Sequence, residues 1–583
     1  MLKKLEIAIN ELKKYYPKLN SKMYTTHLLD NKDLLRHKKL NQALFYLSHQ
    51  ITGEEISINQ HFETFGTMID LSRNAVMKVD YLKEVIRKKA LMGVNKIMLY
   101  MEDVYTIESE PYFGYMRGRY SEKELLDIVN YANIFDITLV PSIQTLGHLG
   151  QFLRWGYNSK VKDLPTVILA GEQNTYILIE KMIKTLRKVF NTDEIHIGLD
   201  ETFGLGFGQY YKNNGYVPQY DIFIDHLKMV NNICLKYNFN HVLIWSDMFF
   251  RISSKSNEYY DPNVTIDLKI RNAIPKNIKL VYWDYYNSNP DLISRMIEKH
   301  QTFNQEIIVA SGTWIWTKLA YDKKQTDKTA KVHIDQSIKH NIKEIYFTQW
   351  NDDGSPANYD TSFLGVYEMA EYSLTKERKV YKKVFDFIND TSYESAVLVS
   401  KINESPIQPL PLLWDDPLNG IYLNNELAKN NNIITESISF FNQYLNNLNE
   451  IKNDFNVDHN IIISKLLKNK LKIRQLLVTY YKESKNLKSL IPDLKEAMHQ
   501  TDVLLNSFRT MWLKRNKAFG LDVIQSRLAT LKYRFKETID RINDYCDNKL
   551  DRIDELEETM GPNQYIRMNH MNIAYSSVHI LSY

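Results

Sequence analysis

Residues 96–143 carry the stretch that decides the fold: KIMLYM (96–101), then SEKELLDIVNYANIF (121–135), then ITLVPSI (137–143). The outer runs are short and apolar and read as buried strands. The middle run sets apolar residues at helical spacing behind Ser121, a residue type that caps helix starts. Strand, helix, strand in that order predicts a parallel sheet with the helix packed on its face.

The same alternation extends in both directions. GTMID (66–70) precedes YLKEVIRKKALMG (81–93). EIHIGLDE (194–201), HVLIWSD (241–247), IKLVYWD (278–284), EIIVAS (306–311) and EIYFTQW (344–350) each lead into a helical stretch, least clearly after HVLIWSD. Eight such units in a little more than 300 residues predict an α/β fold, a (β/α)8 TIM barrel, with a doubly wound sheet as the alternative. Residues 1–60 are expected to form a small N-terminal α or α/β domain and residues 61–388 the barrel. Residues 389–583 are expected to form an α-helical C-terminal domain, rich in Leu, Ile, Lys and Asn at helical spacing. At its start, the prolines of SPIQPLPLLWDDP (405–417) argue against regular helix.

Composition narrows the function. Of 583 residues, 44% are hydrophobic and 25% charged, an ordinary globular balance. The net charge of +4 is spread along the chain, so no nucleic-acid partner is expected. No long apolar run predicts a membrane span, and the opening MLKKLEIAINELKKYYPKLN does not read as a signal peptide. Two distant cysteines, Cys234 and Cys546, suggest neither a disulfide framework nor a zinc site. A cytoplasmic enzyme without metal or cofactor is expected, with a homodimer through the long C-terminal helices.

In a barrel, catalytic groups lie at the C-terminal ends of the strands. Those ends carry Asp70, Glu102, Asp103, Gln144, Asp200, Glu201, Asp247, Asp284 and Trp350. Acidic residues after strands also cap helices, which accounts poorly for the adjacent Asp200 and Glu201. Two neighbouring carboxylates repel, so at least one is expected to titrate high, as a general acid requires. Gly204, Gly206 and Gly208 allow sharp turns above them.

EIHIGLDETFGLGFG (194–208) resembles the His-x-Gly-x-Asp-Glu signature of glycoside hydrolase family 20, the β-N-acetylhexosaminidases, standing here as His196, Gly198, Asp200 and Glu201. MIDLSRNAV (68–76), YMEDVY (100–105), YFGYMRGRYS (112–121), PSIQTLGHL (141–149), YWDYYN (282–287) and Trp350-Asn351-Asp352 support the resemblance over about residues 60–390. Leu199 stands where many members carry a second glycine, so the chain resembles a divergent branch, similar to the streptococcal-type intracellular N-acetylglucosaminidases.

The resemblance implies release of a terminal β-linked N-acetylhexosamine from a glycan, with the substrate's own 2-acetamido group as nucleophile. It makes Glu201 the acid and base, and Asp200 the residue that orients the acetamido N–H. It implies an apolar box from Trp245, Trp283 and Trp350 and a tyrosine hydroxyl donor, Tyr285 first with Tyr286 and Tyr282 behind it; Trp314 and Trp316 are further candidates for stacking at the mouth. Asp352 would bind sugar hydroxyls, and His148 with Asp103 would support the acid from behind. His196 is expected to pack inside the barrel. Where many members have a sugar-gripping arginine this chain has Phe65, leaving Arg73, Arg117 or Arg119 to substitute. A chitinase-type or O-GlcNAcase-type hydrolase and a non-catalytic carbohydrate-binding protein are the competing readings.

Overall fold

The computed structural model describes residues 2–20, 39–256 and 258–558. Eight parallel strands close a barrel in chain order. They are β1 Thr64–Asp70, β2 Lys96–Tyr100, β3 Thr138–Ser142 and β4 Glu194–His196. β5 His241–Trp245, β6 Ile278–Trp283, β7 Glu306–Gly312 and β8 Glu344–Gln349 complete it. Closure is made by β1 on β8, with Thr64 opposite Glu344. The (β/α)8 expectation is met.

Helices follow the strands as the apolar spacing predicts. Glu122–Asn133 opens on a complete capping box: the Ser121 hydroxyl accepts from the Glu124 amide, and the Glu124 carboxylate accepts from the Ser121 amide. After β5 the expected helix is broken into Asp247–Ser253 and Leu268–Ala273, which is why its period was faint. The described part of the first 60 residues is helical, Leu2–Leu12 and Leu40–Thr52, and packs into the core between sheet and helices.

Two packed layers divide the barrel. Phe65 faces outward, its ring against Phe347, in the core beneath the helices. Met68, Met98, Tyr100, Trp245 and Tyr346 fill the interior. At the N-terminal ends of the strands a buried ion network closes the floor. Lys279 reaches Glu194, Glu306 and Glu344 at 3.3, 2.9 and 2.9 Å, and Lys96 reaches Glu194 and Glu344 at 2.8 and 3.1 Å.

Beyond residue 389 the described chain is helical, with the long helices Phe455–Lys482, Ile491–Arg515 and Leu521–Cys546 around a second core. One expectation fails here. Pro409–Trp414 is helical, because Pro409 occupies the first turn, where a missing N–H costs nothing. This region meets the barrel at the loop after β1. The Lys78 amide donates to the Arg515 carbonyl and the Lys517 amide to the Val76 carbonyl, both at 2.8 Å. Asn74 Nδ2 donates to the carbonyls of Gly354 and Gly520 at 2.9 Å, and Arg515 pairs with Asp360. Among the described residues, no helix is long and apolar enough to cross a membrane.

Candidate active site

β4 ends at His196, so Asp200 and Glu201 stand four and five residues beyond the strand rather than at its end. The chain still tracks its neighbours: Ile143 N–H donates to the His196 carbonyl at 2.8 Å, and Trp245 N–H to the Gly198 carbonyl at 3.1 Å. Gly198 has φ +76°, and a Cβ there would stand 2.0 Å from Gln144 Oε1. Its lack of a side chain is what lets Gln144 reach Asp200. Gln144 Nε2 donates to Asp200 Oδ1 at 2.8 Å and to the Tyr100 hydroxyl at 3.1 Å. His196 is fully buried against the Trp245 ring (4.4 Å), and burial pushes it down to about 3, so it is neutral.

His148 organises the pair. Its Nε2 lies 3.1 Å from Asp200 Oδ2 and 3.4 Å from Glu201 Oε2. Burial opposes a charge on this imidazole, but the Asp200 carboxylate and the bonds to both acids outweigh it and push it up to about 10. The expected rise within the pair does not occur. Burial alone would raise Asp200 and Glu201, yet the His148 charge and its hydrogen bonds hold both below the usual carboxylate range. The rise falls on Asp247 instead, from burial and then from the charges of Asp200 and Glu201. Asp247 accepts the Glu201 amide at 3.0 Å and the Trp283 indole N–H at 3.3 Å. His148, Asp200 and Glu201 bring potential ligand atoms within 4.8 Å of one another. The contacts within this trio are those of the His148 imidazole with the two carboxylates.

Above the pair lies a cavity of about 430 Å³, open mouth included, at the small end of ligand pockets. Trp245, Trp283, Tyr285, Tyr286, Trp316 and Trp350 wall it, and Arg73 and Asp352 stand with the two acids among its polar groups. Tyr285 lies parallel to Trp283, 5.4 Å between centroids. Trp314 does not line the cavity. It stacks behind Trp316 at 4.1 Å and donates its indole N–H to the Trp316 carbonyl at 2.9 Å, so Trp316 forms the wall.

Of the three candidate arginines, Arg73 is the one that lines the cavity. Asp70, at the end of β1, accepts the amides of Ser72 and Arg73 and, from the β8 loop, that of Asn351. This one buried carboxylate therefore sets Arg73 and Asp352 side by side. Their side chains pair, and the guanidinium lies 4.6 Å over the Trp350 ring. Arg117 is spent on Asp103 (2.9 Å) and Glu102 (3.5 Å), and Arg119 donates to the carbonyls of Pro111 and Phe113. Asp103 thus does not back His148. Its carboxylate is drawn away by Arg117, while burial raises Glu102 to about 7 against the pull of Arg73 and Arg117. Sequence reasoning passed over Tyr259, which packs edge-on against Trp283 and helps to hold Glu201 ionised. It lies between β5 and β6, where no periodicity marks it.

A (β/α)8 barrel with two carboxylates beneath an aromatic-walled pocket at the C-terminal ends of its strands has the form of an enzyme site able to hold one small ring. The sequence model for the glycosyl hydrolase family 20 catalytic domain matches residues 62–373, more than half of the chain, and that for the Glycoside Hydrolase 20C C-terminal domain matches residues 389–574. The chain belongs to glycosyl hydrolase family 20, and it is a glycoside hydrolase. It is similar to Hexosaminidase D of Bos taurus, 23% identical over 266 residues, 43% of this chain and 69% of the relative. Hexosaminidase D of Homo sapiens is 22% identical over 221 residues, 36% of this chain and 43% of the relative. Among solved structures, the β-N-acetylhexosaminidase of Bacteroides fragilis matches with a TM-score of 0.45 at 16% identity, over 59% of this chain and 75% of the other.

Proposed function

We propose that the chain is an exo-acting, retaining β-N-acetylhexosaminidase that releases terminal β-linked N-acetylglucosamine, in the divergent branch of the family that joins the barrel to a 20C-type C-terminal region. The observation that carries this reading is the placement of Asp200 and Glu201 together in a one-sugar pocket walled by Trp245, Trp283 and Trp350. The three indoles supply an apolar box for an acetamido methyl.

In this reading the acetamido carbonyl oxygen attacks the anomeric carbon as the bond to the leaving oxygen breaks. Glu201 gives that oxygen a proton, and an oxazolinium ion forms. Asp200 accepts the acetamido N–H and faces the growing positive charge with a fixed anion. Water then adds at the anomeric carbon, Glu201 takes its proton, and the ring reopens with the β configuration kept. In the empty pocket the proton sits on His148, because Glu201 is held ionised. A neutral sugar seated on Glu201 excludes water and raises its carboxyl, and His148 Nε2, 3.4 Å away, hands the proton over. Arg73 and Asp352 are placed to bind sugar hydroxyls. Residues 61–388 form the catalytic unit and the described residues from 389 to 558 the helical one. The free thiols of Cys234 and Cys546 agree with a cytoplasmic site of action. A homodimer is the proposed assembly, which sedimentation decides.

The test is hydrolysis of 4-nitrophenyl β-N-acetylglucosaminide, and of its galacto epimer, with chelator present. Wild type is expected to turn over, and Glu201→Gln and Asp200→Asn each to lose about 10²-fold or more in kcat. No wild-type turnover on either substrate would sink the simple exo-hexosaminidase reading and leave a larger or modified glycan as the substrate, or a carbohydrate-binding protein.

A further inference from the structure

We propose that Phe203 is the floor of a binding platform for the leaving-group sugar, held in place by Arg251 and Tyr259. This rests on the hexosaminidase reading and extends it to the part of the substrate beyond the scissile oxygen.

Phe203 follows Glu201 by two residues, and its amide donates to the Glu201 carbonyl at 2.7 Å, a tight turn that fixes the ring's root beside the acid. Its neighbours Thr202 and Leu205 are buried, yet the Phe203 side chain is 41% exposed. Isolated exposed aromatics are common on any surface. This one differs in what lies beneath it. The Arg251 guanidinium, itself 9% exposed, sits 4.0 Å from the Phe203 ring centre and 4.7 Å from that of Tyr259. Burial pushes the Tyr259 phenol up, and the Glu201 carboxylate and the Arg251 guanidinium both act on it from close by. Tyr259 packs edge-on against the pocket wall at Trp283, 5.3 Å between centroids. Ring, cation, phenol and acid form one connected unit.

The chemistry then dictates the occupant. Glu201 marks the position of the scissile oxygen, because a proton donor must stand within hydrogen-bond reach of it. Everything past that oxygen is leaving group, and a fixed ring beside Glu201 meets it first. With a cation against one face, the other is the face open to a ligand. A pyranose presents an apolar C–H surface that suits an aromatic ring, and its hydroxyls remain in solvent at the rim.

The experiment compares kcat/KM for N,N'-diacetylchitobiose, whose leaving group is a sugar, with that for β-N-acetylglucosaminyl fluoride, whose leaving group has no ring. Phe203→Ala is expected to lower the disaccharide-to-fluoride ratio about tenfold, mainly through KM on the disaccharide. Phe203→Tyr, which keeps the ring, is expected to return most of that loss. Phe207→Ala, a comparably exposed ring four residues on (58%), is the control and leaves the ratio unmoved. Equal loss on both substrates, or no loss on either, overturns the platform. Cleavage of the fluoride but not of the disaccharide by wild type overturns the sugar leaving group alone. Cleavage of neither overturns the hexosaminidase reading and the platform with it.

Discussion

Leu199 and Glu201 have φ of +77° and +48°, in the left-handed region that costs a side chain about 1–2 kcal/mol. Glycine avoids that penalty, which gives a physical reason for the second glycine many relatives carry at the Leu199 position. Here Leu199 is fully buried, and the burial of a leucine, about 1.5–3 kcal/mol, offsets the strain. Glu201 is held in the same region by its amide bond to Asp247. His148 carries the sharpest residue-scale prediction. Its folded value is raised, so the charge that holds the two acids together is present at neutral pH and lost as pH rises through about 10. The alkaline limb of kcat/KM should therefore lie high and belong to the shared His148–Glu201 proton. In His148→Gln that proton has only Glu201 to sit on, and the limb should fall by about two pH units or more. An unmoved limb would show that His148 does not hold the proton. The pair of acids facing the pocket was legible in the sequence as a candidate, because two adjacent acids after an apolar run have few structural uses. Its titration was not, because the deciding charge comes from a residue 52 positions away in the chain. Arg73 was one of three arginines the sequence left open, and Asp70, which selects it, reads in sequence as one more acidic strand end.

The elements were the most legible level, and their limits show where local chemistry stops deciding. All eight strands fall where apolar runs predicted them, since a barrel buries both faces of each strand. β4 is shorter than its apolar run: Ile197 and Leu199 are as buried as strand residues, but the Gly198 turn has already ended the ladder. Burial and pairing part company there, and sequence reports only burial. Helix starts were readable where a capping residue stands, as at Ser121. Ser121→Ala should cost about 1 kcal/mol, read as a lower urea midpoint, with hydrogen exchange quickening in the first turn of Glu122–Asn133. Loss of stability without faster local exchange would assign the effect to something other than the cap. The error at Pro409 came from treating prolines as uniform breakers, when the first helical turn accepts them.

At the scale of the whole molecule the barrel floor matters most for stability. Lys279, largely buried, faces Glu194, Glu306 and Glu344. Lys279→Met would leave Glu194 and Glu344 with Lys96 alone and should cost about 3–5 kcal/mol, as loss of one partner from a buried pair does. The network also sets a pH dependence. Burial raises Glu344, but Lys96 and Lys279 hold it below its ordinary value. A depressed folded value means its contribution is complete above about pH 4.3 and is lost as pH falls through the folded value. Glu344→Gln should therefore lose less melting temperature than wild type between pH 7 and pH 3. An equal loss would place the acid sensitivity elsewhere.

The backbone seam between residues 76–78 and 515–517 has a consequence for how such enzymes can be cut and recombined. The strip that receives the C-terminal helices is the same loop that presents Arg73 to the pocket, and Asn74 grips both Gly354 and Gly520. A shortened gene encoding only the barrel would leave that loop with the Lys78 amide and the Val76 carbonyl unmatched, a few residues from Arg73 at the pocket. The catalytic half is thus a poor cassette for grafting: its portability ends where its own active-site scaffolding begins to be shared.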